Sequence, residues 1–241
     1  MEVVTFNGKA SDSFDIPILI ESPPNYVYPE RDYEIQHVPG RNGDVYIDKN
    51  SYKNVQRSYA LAAGDDYESY DKLANQIATW LHSATGYAKL YDTYEPEYYR
   101  MAMYVETGTL TPIVRNGIRF TANFNCKPQR FLHIGDNVIT VSSSNTNITN
   151  PTQYTSRPIV TVYGSGAGTV TINGIKVTLN DIDTYTVLNS EIDDAYKGTV
   201  NKNPYMVLDN GIFPELKAGD NLVTFTGGVT RVEVIPKWWT L

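Results

Sequence analysis

The sequence predicts a mainly β protein with one helix: an N-terminal β-sheet or sandwich domain packing a single α-helix, then an antiparallel β-sandwich. Three observations carry this. Period-two alternation recurs, most cleanly where Ile118, Phe120, Ala122, Phe124 and Cys126 alternate with Arg119, Thr121, Asn123, Asn125 and Lys127, the pattern of a half-buried strand. Apolar residues recur at helical spacing in one convincing place, Leu73, Ile77 and Leu81. Composition shifts near residue 130: residues 1–130 hold 14 of the 19 tyrosines and 13 of the 20 basic residues, whereas residues 131–241 hold 10 of the 17 glycines. Two domains follow, 1–130 and 131–241.

Taken in order, Val3 to Phe6 read as a strand closed by Asn7-Gly8, a pair that accepts the positive φ of a type I′ turn. Ile16, Ile18 and Ile20 alternate, and Pro17, which lacks an N–H, marks this strand as an edge or a bulge. Tyr33, Ile35 and His37 alternate with Asp32, Glu34 and Gln36 before the turn residues of Val38–Asp44. Val55, Arg57, Tyr59, Leu61 and Ala63 share the next strand face. The helix follows, with Asp65 and Glu68 as a capping box, Ala74, Ala78 and Trp80 widening the apolar stripe, and Gly86 beyond its end, about five turns in all. Tyr87–Tyr91 and Tyr98–Val105 read as strands around Tyr94-Glu95-Pro96.

In the second half, Val138–Val141 reads as a strand, and the Ser/Thr/Asn run from Thr140 to Ser156 as a polar hairpin or, less favoured, a linker. Gly164–Gly168 and Gly227-Gly228 read as turns between paired strands, and Asn173-Gly174 as a further hairpin turn.

Motifs of chemistry are sparse. Gly164–Gly168 leads into alternating Thr169–Ile172, not into the helix that a phosphate loop requires. His37, His82 and His133 show no metal-ligand spacing. Glu95/Glu97, Asp181/Asp183 and Asp193/Asp194 read as turn acids. Cys126, the one cysteine, excludes an internal disulfide and reads as a small buried hydrophobe. No cofactor, metal site or catalytic residue is expected, and the reading is of a protein that is not an enzyme. Trp238 and Trp239, neighbours on an extended chain, point to opposite sides; they read as interface or core residues.

The balance of 20 basic against 27 acidic residues, net −7, speaks against a nucleic-acid or anionic-membrane partner held by a broad basic surface. No charged-then-apolar leader opens the chain, and the longest apolar stretch, Ile16–Ile20, falls well short of the roughly 20 residues of a membrane span. The expectation is a soluble protein made in the cytoplasm.

Several segments, in order, form a specific set: Arg31-Asp32-Tyr33-Glu34, Val38-Pro39-Gly40-Arg41-Asn42-Gly43-Asp44 with Tyr52, Ile77–Leu81 with Gly86–Leu90, and Phe120–Pro128. The set continues through Asn150-Pro151-Thr152, Ser156–Val160, Val187–Glu191, Phe213-Pro214-Glu215-Leu216, Gly219-Asp220-Asn221 and Ile235–Trp239. It resembles the distal tail proteins of long, non-contractile-tailed bacteriophages, especially those of Gram-positive hosts, across essentially the whole chain. The resemblance implies a virion structural protein at the distal end of the tail. Its N-terminal domain would form a hexameric ring joining the tail tube protein to the tail-associated hub protein. Its C-terminal domain would be a galectin-like β-sandwich that supports receptor-binding proteins. Sugar-binding galectins use a compact His/Asn/Arg set and a stacking Trp; with His133, Arg157 and Arg231 alone, this half cannot reproduce that set. The alternative reading is a carbohydrate or cell-surface binding module acting through this sandwich; a cell-wall hydrolase is a weaker third. For assembly, the expected contact residues are Val38, Pro39, Gly40, Arg41, Asn42 and Gly43, between two strands.

Overall fold

A computed structural model describes residues 2–64, 70–105, 109–113 and 117–241. The chain divides into two compact units, Met1–Arg130 with Leu241, and Phe131–Thr240.

The first unit contains β1 (Val4–Phe6), β2 (Lys9–Ala10), β3 (Ile18–Ile20), β4 (Arg31–Gln36), β5 (Val45–Tyr52), β6 (Val55–Ala63), α1 (Tyr70–Leu81), β7 (Ala88–Asp92), β8 (Tyr98–Tyr104), β9 (Thr111–Ile113) and most of β10 (Gly117–Leu132). Its main sheet has the order β2-β1-β7-β8-β10-β6-β3, with β9 also on β10. The β6–β10 ladder pairs Ala63 with Ile118, Leu61 with Phe120, Tyr59 with Ala122 and Arg57 with Phe124. All eight side chains are buried, so the alternation read from each strand lies on one inward face. β3 sits at the sheet's edge, where the missing N–H of Pro17 breaks no interior ladder. Asn7 (φ 49°) and Gly8 (φ 78°) make the tight β1–β2 connection.

Helix α1 covers the core with Leu73, Ile77, Trp80 and Leu81. The Trp80 indole N–H donates to the carbonyls of Phe6 (3.3 Å) and Lys9 (3.2 Å), pinning the helix to the first hairpin. The described helix is 12 residues long, little more than three turns. It ends at Leu81, five residues before Gly86, and Ala78 is exposed rather than part of the stripe. The predicted capping pair Asp65 and Glu68 lies outside the described residues.

The second unit contains β11 (Ile139–Val141), β12 (Thr146–Asn150), β13 (Ile159–Ile172), β14 (Ile175–Asn189), β15 (Asp194–Lys197), β16 (Val200–Asn201), β17 (Met206–Leu208), β18 (Gly219–Ile235) and β19 (Trp239–Thr240). The sheet order is β11-β18-β13-β14-β15-β16, with β12 on β18 and β17 on β14, all antiparallel. Strands β13, β14 and β18 run for 14, 15 and 17 residues, far beyond the usual five or six.

Their length corrects two expectations. Gly164–Gly168 and Gly227-Gly228 are not turns between separate strands: each lies inside a continuous strand, where the β13–β18 register shifts between Tyr163 and Gly164 and again before Gly168. A Cβ on Gly164 would collide with the Gly228 carbonyl, and one on Gly228 with that of Ser165. The glycines let two backbones cross at a bulge, which bends the strands. Both ends of the same strands therefore feed one core: Val160 and Val162 with Val170 and Ile172, and Val223 with Val232 and Val234. The polar run after Thr140 is likewise not a hairpin. β11 pairs with residues 232–234 of β18 and β12 with residues 219–223, so the run interrupts an edge strand that follows β18 from one end to the other.

Candidate assembly surface

β4 and β5 pair with each other and stand apart from the main sheet, forming a two-stranded arm. Tyr33 faces Asp48 and Ile35 faces Tyr46 across the arm, which puts Tyr33, Ile35 and Tyr46 on one side. Their relative exposures are 40%, 57% and 60%, and the Tyr33 and Tyr46 rings meet edge-to-face at 5.7 Å. Arg31 Nε donates to Asp48 Oδ2 at 2.8 Å. That bond, with the Asn50 amide, holds the Asp48 carboxyl below its ordinary pKa. A two-stranded ribbon alone is marginally stable in water, and this one carries a bare aromatic and aliphatic face.

The expected contact residues Val38, Pro39, Gly40, Arg41, Asn42 and Gly43 form the loop at the arm's tip and are all exposed. His37 Nδ1 and Asp44 Oδ1, 3.1 Å apart, close its mouth, and the Arg41 amide donates to the Val38 carbonyl. Gly40 and Gly43 have φ near +80° with open space around them, so the loop's shape, rather than packing, requires glycine there. The structure brings this loop together with the Tyr33–Ile35–Tyr46 face, a surface that alternation alone left as an ordinary strand.

The first unit also holds a buried charged cluster, which touches Asn25 and Tyr26 in the segment before the arm. Arg57 (4% exposed) donates to Asp92 Oδ2 and Glu95 Oε2, each at 3.0 Å, and to the Asn25 carbonyl at 3.0 Å. Tyr59 donates to Asp92 Oδ2 at 2.7 Å; burial, then the Asp92 charge, drives its hydroxyl far above the ordinary phenol range. Arg130 donates to Glu95 Oε1 (2.8 Å) and lies over the rings of Tyr26 and Tyr98. Arg100 is buried beside them, and burial lowers its pKa. Cys126 is buried, its thiol pushed up to about 11 by desolvation. The sequence reading missed this cluster, although one signal was present: Arg57 shares the inward face of Val55, Tyr59 and Leu61, and a buried cation needs a partner.

Trp238 and Trp239 separate as opposed neighbours should. Trp238 enters the core of the second unit, its indole nitrogen without a hydrogen-bond partner. Trp239 is half-buried, stacked on Tyr154 at 4.5 Å and donating to the Thr155 carbonyl at 3.0 Å. His37 lies on the arm, His82 just past α1 against Tyr104, and His133 in the turn after β10. Asp181 and Asp183 pair with Lys202 and Lys197. Among the described residues no group of three or more His, Cys, Asp or Glu could hold a metal ion, and no helix is long and apolar enough to cross a membrane.

The fold is similar to that of two solved phage structures. Over the full length of both chains it superposes on the crystal structure of the SPP1 Dit (gp 19.1) protein, described as a paradigm of the hub adsorption apparatus in phages infecting Gram-positive bacteria, with TM-score 0.75 and 15% identity. A chain of the phage p2 baseplate in its activated conformation with Sr matches with TM-score 0.54 and 12% identity, covering 97% of this chain and 98% of that one. No protein-family model and no curated protein sequence matches the chain. The fold comparison thus reaches the same group of proteins as the segments quoted from the sequence.

Proposed function

We propose that the chain is a structural component of a phage tail tip or baseplate, which assembles through its β4–β5 arm into a hexameric ring. The ring joins the tail tube protein to the tail-associated hub protein and supports receptor-binding proteins. The observation that carries this is the arm: a ribbon outside the main sheet, with Tyr33, Ile35 and Tyr46 exposed on one face. Burying such a face against a neighbour yields about 25 cal/mol per Å² of apolar area. A head-to-tail contact repeated around an axis closes into a ring. The full-length fold likeness supports the same reading, with the first unit as ring-former and the second as a galectin-like sandwich. In this reading the chain is not an enzyme and needs no cofactor, nucleic acid or membrane. Light scattering at rising concentration, alone and with the cognate hub protein, tests it: ring-sized particles are expected, and a strict monomer in both conditions overturns it.

The second reading, saccharide binding through the second unit, draws on the Tyr154–Trp239 stack. One face of that indole is already covered by Tyr154 and its N–H is already used, so assembly is favoured. Cell-wall binding abolished by Trp239→Ala would reverse the order.

A further inference from the structure

Four Asn-Gly pairs lie among the described residues: Asn7-Gly8, Asn42-Gly43, Asn173-Gly174 and Asn210-Gly211. Glycine has no side chain to shield its amide nitrogen, which can attack the carboxamide carbon of the preceding asparagine. Structure decides whether it does. The asparagine must rotate about its Cα–C bond until the two atoms meet, and its carboxamide must be free to turn toward the main chain.

Three of the pairs fail this requirement. Asn7, Asn173 and Asn210 are themselves left-handed, with φ of 49°, 52° and 61°. A left-handed residue has ψ of about +47°, and Asn210 has ψ 14°. Such values turn the following nitrogen away from the side chain that would meet it. Two of the three are also pinned. Asn7 Nδ2 donates to Ser83 Oγ at 3.2 Å, and Asn173 Nδ2 donates to the Glu215 carbonyl at 3.4 Å and to Asn221 Oδ1.

Asn42-Gly43 differs on each count. Both residues are exposed in the loop at the tip of the β4–β5 arm. The positive φ there falls on Gly43 (82°), not on Asn42, and open space surrounds Gly43. The loop is closed by the Arg41 amide on the Val38 carbonyl and by His37 with Asp44. Among the described residues no hydrogen bond holds the Asn42 carboxamide or the Gly43 amide.

We infer that Asn42 is a self-modification site, which loses its side-chain amide through a succinimide formed with Gly43. The Gly43 nitrogen bonds to Asn42 Cγ, the Cγ–Nδ2 bond breaks, and Nδ2 leaves as ammonia with the proton that the Gly43 nitrogen gives up. Water then opens the ring at either carbonyl, leaving aspartate or isoaspartate. Either product adds a carboxylate between Arg41 and Asp44, and isoaspartate also lengthens the main chain by one carbon. The tip thereby changes charge in the loop expected to make assembly contacts. That consequence rests on the assembly reading, in which a neighbour would shield the tip and the reaction would mark unassembled chains; the site itself does not rest on it.

Peptide mapping by mass spectrometry tests the site on the full chain, incubated at mildly alkaline pH and digested in acid. Asn42 should convert about tenfold or more faster than Asn7, Asn173 and Asn210, with isoaspartate among its products. In urea the four pairs should react at similar rates, because the turns that protect three of them are gone. Gly43→Ala, whose methyl group crowds the attacking nitrogen, should slow the loss at Asn42. Asn42 intact in the native chain, or no faster than the other three, overturns the proposal, as does the same spread of rates in urea. A chain that proves monomeric in light scattering would contradict the assembly reading and leave these rates as predicted.

Discussion

Arg57 and Cys126 are diagonal neighbours at the end of the β6–β10 ladder: Arg57 opposes Phe124, and Cys126 opposes Val55. Both side chains point inward, so each must answer for its burial. For Arg57 the answer is Asp92 and Glu95. Removing Asp92 leaves Arg57 with Glu95 alone and the buried Tyr59 hydroxyl without its acceptor, at a cost of about 3–5 kcal/mol. Asp92→Ala should lower unfolding stability by that order in urea titration, whereas Lys72→Ala, which breaks the exposed pair with Asp15, should leave it nearly unchanged. For Cys126 the answer is protonation. Its thiol titrates at about 11 in the fold against an ordinary 9.0, so between these values the folded state holds a proton that the unfolded state has released. Stability contributed by the neutral thiol is complete below pH 9 and is lost as pH rises toward 11, a decline of about 2–3 kcal/mol. Chemical denaturation across that window should show the fall, and Cys126→Ser should reduce it.

Residue-scale legibility was uneven, for a physical reason. The inward phase of β6 and β10 was readable because each strand has one dry face. The partners of Arg57 were not, because Asp92 and Glu95 lie some 35 residues away in sequence and are brought close by the sheet order alone. Several segments quoted for the family resemblance prove to be internal staples. Asn221 is fully buried, with its amide donating to the carbonyls of Ile148, Lys217 and Gly219. Asn150 holds the Tyr154 and Leu216 carbonyls, and Ser156 Oγ donates to the Pro236 carbonyl at 2.7 Å. These short polar segments have no periodicity, and in this chain they satisfy buried backbone groups.

At the scale of elements, glycine separates the two units. Asn173-Gly174 is a tight turn (φ 52° and 80°), as the dipeptide predicts. Gly164–Gly168 and Gly227-Gly228 are bends inside strands, which local sequence cannot distinguish from turns, since both demand glycine. The distinction yields a prediction. Gly164→Ala and Gly228→Ala place a Cβ against a neighbouring carbonyl, and should each destabilise the second unit by several kcal/mol through a forced backbone shift. Gly174→Ala meets open space and should cost only about 1 kcal/mol, for its positive φ. Thermal unfolding of the three variants orders them. The arm makes a second prediction at this scale. Tyr33→Ser, Ile35→Ser and Tyr46→Ser act on exposed positions, so each should leave folding stability within about 0.5 kcal/mol while abolishing self-association in sedimentation velocity. A large loss of stability would mean that the face is packed within its own chain.

The whole molecule joins two units of different construction: a broad sheet under one helix, and a core closed by bending long strands back over themselves. The tyrosine bias of the first unit becomes concrete here, since Tyr26, Tyr28, Tyr33 and Tyr46 lie exposed on the arm or the segment leading to it. Tyrosine suits such a place because it brings a large apolar body and a polar tip to a surface that, in the proposed assembly, is wet before association and dry after it. The mainly β class was legible in the alternation and the full-length fold likeness in the quoted segments; the arm's bare face was not, because alternation shows which residues share a side but not whether anything covers it. The central claim is that the arm exists to be covered by another copy. Light scattering of the full chain at rising concentration, alone and with its cognate hub protein, measures this most directly. The account predicts a discrete species of six copies, lost when Tyr33, Ile35 and Tyr46 are replaced by serine; a concentration-independent monomer in both conditions would contradict it.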